Sequence, residues 1–356
     1  GVRNFMNIGI LPFRREKRID GINRLTYGIL DELINIDKNN NYSYVGDGKW
    51  LGIDLQENIV MADSWNIINL NAFMINNNYN IIHSYFYSYY FNSKFSCARI
   101  LTIHDLMPRM KMYFGDSWSR SVHWMDTIIA VSEYTKGDII NSYNVSPDNI
   151  KVVYPGLFKS DIKGNSETGD RIRKIVEKPY IMTVSTLRAY KNILGLVKAF
   201  CMFKELNANS DINLIIVGNN NKSNGVIKEI MSFCGERKDV IFTGYVTDGE
   251  LAYLYRNSLA TGFVSFYEGF GLPVLESLSF GKTVICSDRT SLPEVGGDAV
   301  EYCNPYEIES IENAIEKVVL NDNYRRELEK KALIQASKFS YKKSAEDTLE
   351  IYKLYN

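Results

Sequence analysis

The stretch SFYEGFGLPVLE, residues 265–276, follows an apolar run that predicts a β-strand, and it leads into a predicted helix. Gly269 and Gly271 permit a tight turn between the two elements. Pro273 suits the first turn of a helix, where its missing N–H is not needed. The start of such a helix carries unpaired N–H groups and a partial positive charge, which favour a phosphate. The stretch therefore predicts a strand–turn–helix unit with an anion-binding end.

Two carboxylates lie within this stretch. Glu268 falls on the turn, and Glu276, eight positions later, is expected inside the first turn of the helix. A carboxylate can accept two hydrogen bonds from vicinal hydroxyls such as those of a ribose. An anion-binding helix end beside two carboxylates suits a sugar nucleotide. The residues alone are equally compatible with a helix-capping role for Glu276 and a solvated loop position for Glu268.

Outward from this stretch, strand-like and helix-like segments alternate in two series. The first has expected strands at 5–11, 67–70, 80–83, 99–103, 127–131 and 151–154, and helices at 21–36 and 133–142. The second has expected strands at 179–184, 213–217, 240–243, 259–265 and 283–286, and helices at 193–205, 226–234, 248–256, from 272, within 307–337 and at 341–355. Such alternation predicts two parallel α/β sheets covered on both faces. The polar run at 159–170 is the expected linker.

Composition excludes several classes of protein. With 356 residues, 45% hydrophobic and 23% charged, the chain is expected to form two globular domains and not a disordered polymer. A net charge of -1 argues against a dedicated nucleic-acid binder. The five scattered cysteines predict reduced thiols and no zinc site. No apolar run approaches the roughly 18 residues that span a bilayer. We therefore expect a cytoplasmic protein.

Glu268 and Glu276 match the E-x7-E motif of the GT-B glycosyltransferases, and here the chain resembles their large retaining family 4, the glycosyl transferases group 1. The likeness extends over FVSFYEGFGLPVLESLSFGKTVICSDRTSLPEVGGDAVEYCNP, residues 263–305. Within it, SLPEVGGDA at 291–299 resembles a bacterial subgroup with many mannosyltransferases of surface polysaccharide synthesis. GYV at 244–246, IHD at 103–105 and VYPG at 153–156 fit the same family, so the resemblance covers essentially the whole chain.

The resemblance implies the GT-B fold, with two Rossmann-like domains facing a central cleft. Residues 1–160 would form the acceptor-side domain and residues 171–340 the donor domain, and the C-terminal helix, 341–356, would cross back to the first domain. The implied reaction is retaining transfer of a hexose from a nucleotide-diphosphate sugar, with GDP-mannose slightly favoured. The implied acceptor is a glycan or a lipid-linked glycan in bacterial surface polysaccharide or glycoconjugate synthesis. No cofactor or metal is implied.

The resemblance also implies a donor site in the second domain. Glu276 would hold the ribose, and Glu268 would lie near the donor sugar and be needed for activity. Lys191 would bind the diphosphate. The remaining donor contacts are assigned to Phe270, Gly271, Leu272, Gly218, Tyr245 and Val246.

The chain departs from the family pattern around Lys191. Family members usually carry an arginine either directly after the strand or just before this lysine, and here those positions hold Thr186 and Tyr190. Arg188 is the nearest substitute for the missing arginine.

In the first domain, DGINR at residues 20–24 occupies the place of the family's Gly-rich loop, which faces the donor phosphates and the acceptor. Asp20 stands where a glycine is more usual. Gly21, Asn23 and Arg24 are therefore the candidate contacts in this loop.

Three histidines receive different assignments. His104 follows a predicted strand, so it is expected at the carboxyl end of a sheet, where the family's histidine contacts the donor sugar. Asp105 beside it is expected to order the loop. His83 also follows a strand and is assigned a structural role, and His123 is assigned to packing.

Two basic segments raise the question of membrane contact. One contains Arg14, Arg15, Lys17 and Arg18, and the other contains Arg109, Lys111 and Arg120 near Tyr113, Phe114 and Trp118. Such patches suit peripheral contact with an anionic membrane surface that carries a lipid-linked acceptor. They suit solvated loops equally well. The two locations are accordingly the cytoplasm and the inner face of the membrane.

Two other functions stay open. One is a non-catalytic sugar-nucleotide-binding partner within a glycosyltransferase complex, which the departures at Asp20, Thr186 and Tyr190 would allow. The other is a GT-B sugar-nucleotide epimerase. A NAD-dependent dehydrogenase is disfavoured because no G-x-G-x-x-G follows the first strand.

Overall fold

The computed structural model describes residues 5–11, 21–46, 59–61, 78–85, 97–106, 122–157, 169–218 and 225–356. Side chains are described for all of these residues except 21–24, 44–46 and 59–61. The chain divides into two compact units. Unit 1 comprises Gly1–Gly156 together with Phe339–Asn356, and unit 2 comprises Leu157–Lys338.

Unit 1 is built on a parallel sheet of seven strands in the order β3-β2-β1-β4-β5-β6-β7. Every residue of β4 and of β6 is buried, as expected for strands covered by helices on both faces. The strands are β1 (Asn7–Leu11), β2 (Asn41–Gly46), β3 (Ile59–Met61), β4 (Ile81–Ser84), β5 (Ala98–Ile103), β6 (Thr127–Ala130) and β7 (Ile150–Val152). In the described part of the chain before the linker, the α-helices are α1 (Gly21–Ile36) and α2 (Glu133–Tyr143).

Unit 2 is built on a parallel sheet of six strands in the order β10-β9-β8-β11-β12-β13. The strands are β8 (Tyr180–Val184), β9 (Asn213–Val217), β10 (Val240–Gly244), β11 (Ala260–Phe263), β12 (Val284–Ser287) and β13 (Glu301–Cys303). The helices are α3 (Asp170–Ile175), α4 (Ile193–Leu206), α5 (Gly225–Cys234), α6 (Asp248–Asn257), α7 (Leu272–Ser279), α8 (Leu292–Gly296), α9 (Ile308–Leu320) and α10 (Asp322–Ala336).

Both sheets reverse their strand order at one point, between β1 and β4 in unit 1 and between β8 and β11 in unit 2. In open parallel sheets, ligands bind beyond the carboxyl ends of the strands at such a switch point. Among the described residues, the candidate positions are therefore those that follow β4, β8 and β11, and those after β5, the strand next to β4.

The last helix, α11 (Tyr341–Tyr352), belongs to unit 1. It packs on α1, where a Cβ added to Gly28 would lie 2.5 Å from the Tyr341 ring. It is also joined to the end of the first series, because Ser344 Oγ donates to the carbonyl oxygen of Tyr154 at 2.5 Å. The helix thus returns to the unit in which the chain begins.

Some details differ from the sequence-based expectations. The strands β2, β3 and β13 and the short helices α3 and α8 were not predicted, and the expected strand at 67–70 lies outside the described residues. All five cysteines are free thiols. Among the helices in the described ranges, none combines the length and the apolar character that a membrane span requires.

Candidate functional site

Glu268 lies on the turn between β11 and α7, and its carboxylate is paired with Lys191. The ammonium nitrogen of Lys191 donates to both carboxylate oxygens, at 2.6 Å to Oε1 and 2.8 Å to Oε2. The two side chains are only 14% and 11% exposed, respectively. Glu268 is therefore a partly buried, fully engaged carboxylate and not a solvated loop charge.

Two residues that sequence reasoning missed hold the turn that carries Glu268. The Glu268 N–H donates to Thr290 Oγ1 at 3.2 Å, and the Ser291 hydroxyl donates to the carbonyl oxygens of Glu268 and Phe270 at 2.9 and 3.0 Å. Thr290 has a φ of 57°, which is unfavourable for a β-branched residue. Both residues follow β12, so the rule about strand ends could have identified them.

The loop that carries Lys191 is held by Asn192, another residue that the sequence analysis missed. Asn192 adopts a left-handed conformation, with a φ of 54°, which asparagine tolerates better than most residues. Its amide nitrogen donates to the carbonyl oxygens of Val264 and Pro305 at 3.1 and 2.8 Å. Lys191 Nζ lies 5.1 Å from the centroid of the Tyr190 ring. Asn192 thus ties the loop that carries Lys191 to the segments that follow β11 and β13.

The start of α7 presents its backbone to the same region. Gly271 precedes the helix with a φ of 111°, and a Cβ at this position would lie 2.6 Å from the Leu292 side chain. No side chain caps the helix, and Pro273 lies in its first turn. Pro273 has no N–H, and the Val274 N–H donates to the Gly271 carbonyl at 3.0 Å, so the Leu272 N–H and the partial positive charge of the helix start are what this end offers an anion.

Glu276 lies deeper in α7 than expected. Because the helix begins at Leu272, its first turn contains no acidic residue, so the expectation of a first-turn carboxylate was wrong. Tyr255 on α6 donates its hydroxyl to Glu276 Oε2 at 2.8 Å. Burial, and then the charge of Glu276, raise the pKa of the Tyr255 phenol well above its usual value, which keeps it a hydrogen-bond donor. Glu276 is oriented by this contact and does not cap the helix.

The other expected donor residues follow different strands of the same sheet. Gly218 directly follows β9 with a φ of 153°, and an added Cβ would lie 2.2 Å from the carbonyl oxygen of Ser185. Tyr245 follows β10 with an exposed side chain, and Val246 is buried. Arg188 is exposed, and its backbone carbonyl accepts a hydrogen bond from the Lys191 N–H at 3.0 Å. Its guanidinium makes no hydrogen bond or ion pair with the described residues, so the structure does not join that charge to Lys191 or Glu268.

His104 lies in unit 1, directly after β5. Its Nε2 lies 2.9 Å from the carbonyl oxygen of Tyr85, to which it must donate because a carbonyl only accepts. Burial lowers the pKa of the His104 imidazole to about 4, although the hydrogen bond to Tyr85 opposes this shift. The ring is therefore neutral at pH 7, and its Nδ1 carries a lone pair. The neighbouring Asp105 is half-buried.

His83 is completely buried in a network that joins α11 to this strand end. Its Nδ1 lies 2.6 Å from the hydroxyl of Tyr352 on α11, and its Nε2 lies 2.8 Å from Thr102 Oγ1. Its ring stacks on that of Tyr85, with centroids 4.1 Å apart. Burial, and then the nearby His104, lower the pKa of His83 to about 3.

Several expected residues have outcomes of another kind. His123 is exposed, so its assignment to packing was wrong. Gly21, Asn23 and Arg24 begin α1, and their side chains are not described. The following lie outside the described residues: Asp20, Arg14, Arg15, Lys17, Arg18, Arg109, Lys111, Tyr113, Phe114, Trp118 and Arg120. Within the described ranges, no three His, Cys, Asp or Glu side chains converge to hold a metal ion.

Comparison with known proteins adds a family to this geometry. Residues 166–335 match the family described as Glycosyl transferases group 1, and residues 57–157 match Glycosyltransferase Family 4. The chain is 29% identical over 259 residues to O-antigen chain mannosyltransferase B of Escherichia coli, covering 72% of this chain and 68% of that one. It is 27% identical over 267 residues to the serotype-specific mannosyltransferase WbdA of Escherichia coli, covering 70% of this chain but only 33% of that protein.

Solved structures show the same fold over nearly the whole chain. A glycosyltransferase from Rickettsia africae aligns with a TM-score of 0.74 at 18% identity, covering 99% of both chains. Anabaena Alr3699/HepE in complex with UDP-glucose aligns with a TM-score of 0.74 at 17% identity, covering 98% of this chain and 99% of that one. At these identities the likeness establishes the fold alone.

Proposed function

The chain belongs to the GT-B glycosyltransferases of family 4, and from this membership we propose that it transfers a hexose from a nucleotide-diphosphate sugar to an acceptor glycan. The observation that carries the proposal is the Lys191–Glu268 pair beside the uncapped start of α7. A cation, a helix N-terminus and a carboxylate are what a diphosphate and the sugar attached to it require.

The charges fit the departure of a nucleoside diphosphate. Breaking the bond at the anomeric carbon leaves negative charge on the diphosphate, which Lys191 and the positive end of α7 with the Leu272 N–H would stabilise. A lysine ammonium has three donors, and Glu268 occupies two hydrogen bonds. Lys191 can therefore reach a phosphate oxygen without releasing Glu268. This arrangement supports a metal-independent reaction.

Glu276 and Tyr255 are proposed to bind the nucleoside. Tyr255 donates to one oxygen of the Glu276 carboxylate and so fixes the position of that group. Vicinal ribose hydroxyls can donate to such a carboxylate. Gly218 and the backbone of Tyr245 and Val246, which follow the next two strands, are proposed to contact the rest of the nucleoside.

The likeness to mannosyltransferases supports mannose as the sugar, with GDP-mannose as the first donor to test. Alr3699/HepE has been solved with UDP-glucose, so the panel must include uridine nucleotides. Relatives named for the O-antigen chain support a surface polysaccharide as the product. The acceptor would then be a growing glycan, free or lipid-linked at the inner face of the membrane. Retention of the anomeric configuration is part of the proposal by family membership.

The test begins with thermal stabilisation of the full chain by a panel of nucleoside diphosphates and their sugars. A ligand that binds only the native state raises the unfolding temperature. The stabilising sugar nucleotide is then assayed for transfer and for hydrolysis, with the product configuration read by NMR. We expect one donor to be consumed without added metal, in the presence of a chelator.

Two variants make the test specific. Glu268→Ala should lower transfer by about 100-fold or more while the unfolding temperature changes little. Glu301→Ala is the matched control, because Glu301 is similarly enclosed and paired with Lys317 at 3.0 Å but lies at the start of β13. Full activity in the Glu268 variant would contradict the site. Binding without turnover of any donor would favour the non-catalytic partner, and conversion of the sugar nucleotide alone would favour the epimerase.

A further inference from the structure

An exposed aromatic surface lies at the carboxyl edge of the second sheet, outside the residues assigned above. Tyr306 follows β13 and is 65% exposed. Its ring stacks on that of Phe266, which follows β11, with 4.8 Å between the ring centroids and 20° between the ring planes. Because Phe266 is itself half-buried, it holds the Tyr306 ring in place while most of that ring remains open to solvent.

A polar rim accompanies this ring. Arg289 Nε lies 2.9 Å from Asp288 Oδ1, and Arg289 Nη2 donates to Asn304 Oδ1 at 3.4 Å. The guanidinium carbon is 5.9 Å from the Tyr306 centroid, at the outer limit of a cation–π contact. Asp288 pairs with Arg289, and the Asn304 amide donates to the Glu307 carboxylate at 2.8 Å, so the rim offers hydrogen-bond donors and acceptors without an excess of positive charge. Tyr306, Phe266, Arg289, Asp288 and Asn304 are called the Tyr306 platform below.

The Tyr306 platform is tied directly to the loop that carries Lys191. The Phe266 N–H donates to the carbonyl oxygen of Tyr190 at 2.9 Å. The Asn192 side chain donates to the carbonyl oxygen of Pro305, next to Tyr306, at 2.8 Å. Both rings are therefore anchored to the residues that flank Lys191, and the platform adjoins the Lys191–Glu268 pair.

The platform and the proposed nucleoside site lie on opposite sides of that pair. Tyr255, the partner of Glu276, packs with side chains of β8 and β9 such as Met182 and Val217. The platform is formed by the segments that follow β11, β12 and β13, which make up the half of the sheet that ends at β13. A donor with its ribose at Glu276 and its diphosphate at Lys191 leaves the platform to the second substrate.

From this placement we infer that the Tyr306 platform binds a sugar ring of the acceptor. A pyranose has an apolar face of C–H groups, which packs on an aromatic ring, and a rim of hydroxyls, which bond to guanidinium, carboxylate and amide groups. A rim without an excess of positive charge suits such a ligand better than a phosphate or another anion. The inference rests on the proposed function, since it takes the donor site as given.

Three variants of the full chain test the inference, with an α-linked mannotriose as the acceptor probe. Tyr306→Ala removes the aromatic face, and Tyr306→Phe keeps it. Phe233→Ala is the matched control: Phe233 is also an exposed aromatic, 47% exposed with Lys198 over its ring, but it lies at the end of α5. Helices between parallel strands run back across the sheet, so the end of α5 lies near the amino ends of the strands.

For Tyr306→Ala we expect the KM for mannotriose to rise about tenfold, while the KM for the donor and the rate of donor hydrolysis stay within about twofold. Tyr306→Phe and Phe233→Ala should both resemble the wild type. An unchanged mannotriose KM in Tyr306→Ala, or a rise in the donor KM instead, overturns the inference.

Saturation-transfer NMR with mannotriose, without donor, separates this inference from the proposed function. If mannotriose binds the wild type and not Tyr306→Ala, the platform is supported even when no sugar nucleotide is consumed. Absence of consumption would refute only the proposed transfer. Mannotriose that binds both proteins equally, or neither, overturns the platform even if transfer is demonstrated.

Discussion

The two units place their candidate residues at equivalent points of similar sheets, but with opposite chemistry. In unit 2 the switch point holds a pair of full charges, Lys191 and Glu268, which remain slightly exposed. In unit 1 the buried His83 lies in β4, beside the switch point, and His104 follows the neighbouring strand β5; burial lowers the pKa of both, so both rings are neutral at pH 7.

The physical reason for this difference is the cost of burying a charge. Full charges are kept ionised beside water or beside each other, because an isolated buried charge is costly. Neutral imidazole rings can be buried completely and held by hydroxyl groups, so they position their neighbours without adding an electrostatic charge. We therefore expect substitutions that change charge to have the larger effect in unit 2. In unit 1 we expect the larger effects from changes of packing and of pH.

The largest effect is expected for Lys191→Met. This change removes the cation that we propose binds the diphosphate and leaves Glu268 without its partner, so transfer should fall by about 100- to 1,000-fold. Steady-state kinetics with the donor from the panel would measure it. Lys317→Met, which breaks the pair with Glu301 instead, should keep nearly full activity. Equal losses in the two variants would mean that the effect is structural.

The second effect is a loss of stability in mild acid that arises in unit 1. His83 and His104 have folded-state pKa values of about 3 and about 4, below the value near 6.5 of the unfolded chain. The unfolded state therefore binds more protons between pH 6.5 and 4, and stability that is present above pH 6.5 declines as the pH falls.

Urea unfolding at pH 7.0 and pH 5.5 would measure this decline. We expect the two histidines together to lower the free energy of unfolding by about 2 kcal/mol over that interval. His83→Gln should show a shallower dependence, since only His104 then contributes. An identical dependence in the variant would contradict the assignment.

The third effect concerns the contact between α11 and His83. Tyr352→Phe leaves a buried ring nitrogen of His83 without its partner, which should cost about 1–3 kcal/mol of stability. His83 stacks on Tyr85, and the Tyr85 carbonyl accepts the hydrogen bond from His104. Transfer, measured at a temperature where the variant is folded, should therefore also fall several-fold. Tyr355→Phe is the control, since it removes a hydroxyl 2.5 Å from Thr127 in the same segment but does not touch His83. Equal activity in both variants would break the proposed link to His104.

The smallest effect is expected for Tyr255→Phe. Glu276 keeps its charge but loses the hydroxyl that orients it, so the KM for the donor should rise about three- to tenfold with little change in kcat. Tyr180→Phe loses a hydroxyl bonded to the Leu254 carbonyl in the same core and should leave the donor KM unchanged. A lower kcat with an unchanged donor KM would indicate that Glu276 acts in the chemical step and not in donor binding.

Much of this architecture could be predicted from the sequence. Long apolar runs and helical periodicity identified β4 to β12 and most helices, and the GT-B fold class is confirmed. The missed strands are short or polar: β2 reads NYSYVG, and β3 and β13 have three residues each. Segments of this kind become strands because a neighbouring strand offers hydrogen bonds, which no local pattern records.

The candidate residues divide in the same way. Glu268, Glu276, Lys191 and His104 could be selected because they follow strands or match a motif. Their partners could not, since Lys191 and Glu268 are 77 residues apart and Tyr352 is 269 residues from His83. The helix start at Leu272 also decided that Glu276 lies beyond the first turn.

By itself, the sequence determined two parallel α/β sheets, the family and the residue types at the strand ends, because periodicity and motif are local properties of the chain. Only the tertiary structure decided which charges neutralise each other, which histidines are neutral, and that an exposed aromatic ring adjoins the lysine. Those outcomes depend on burial and on contacts between distant segments, which arise only when the strands are placed side by side.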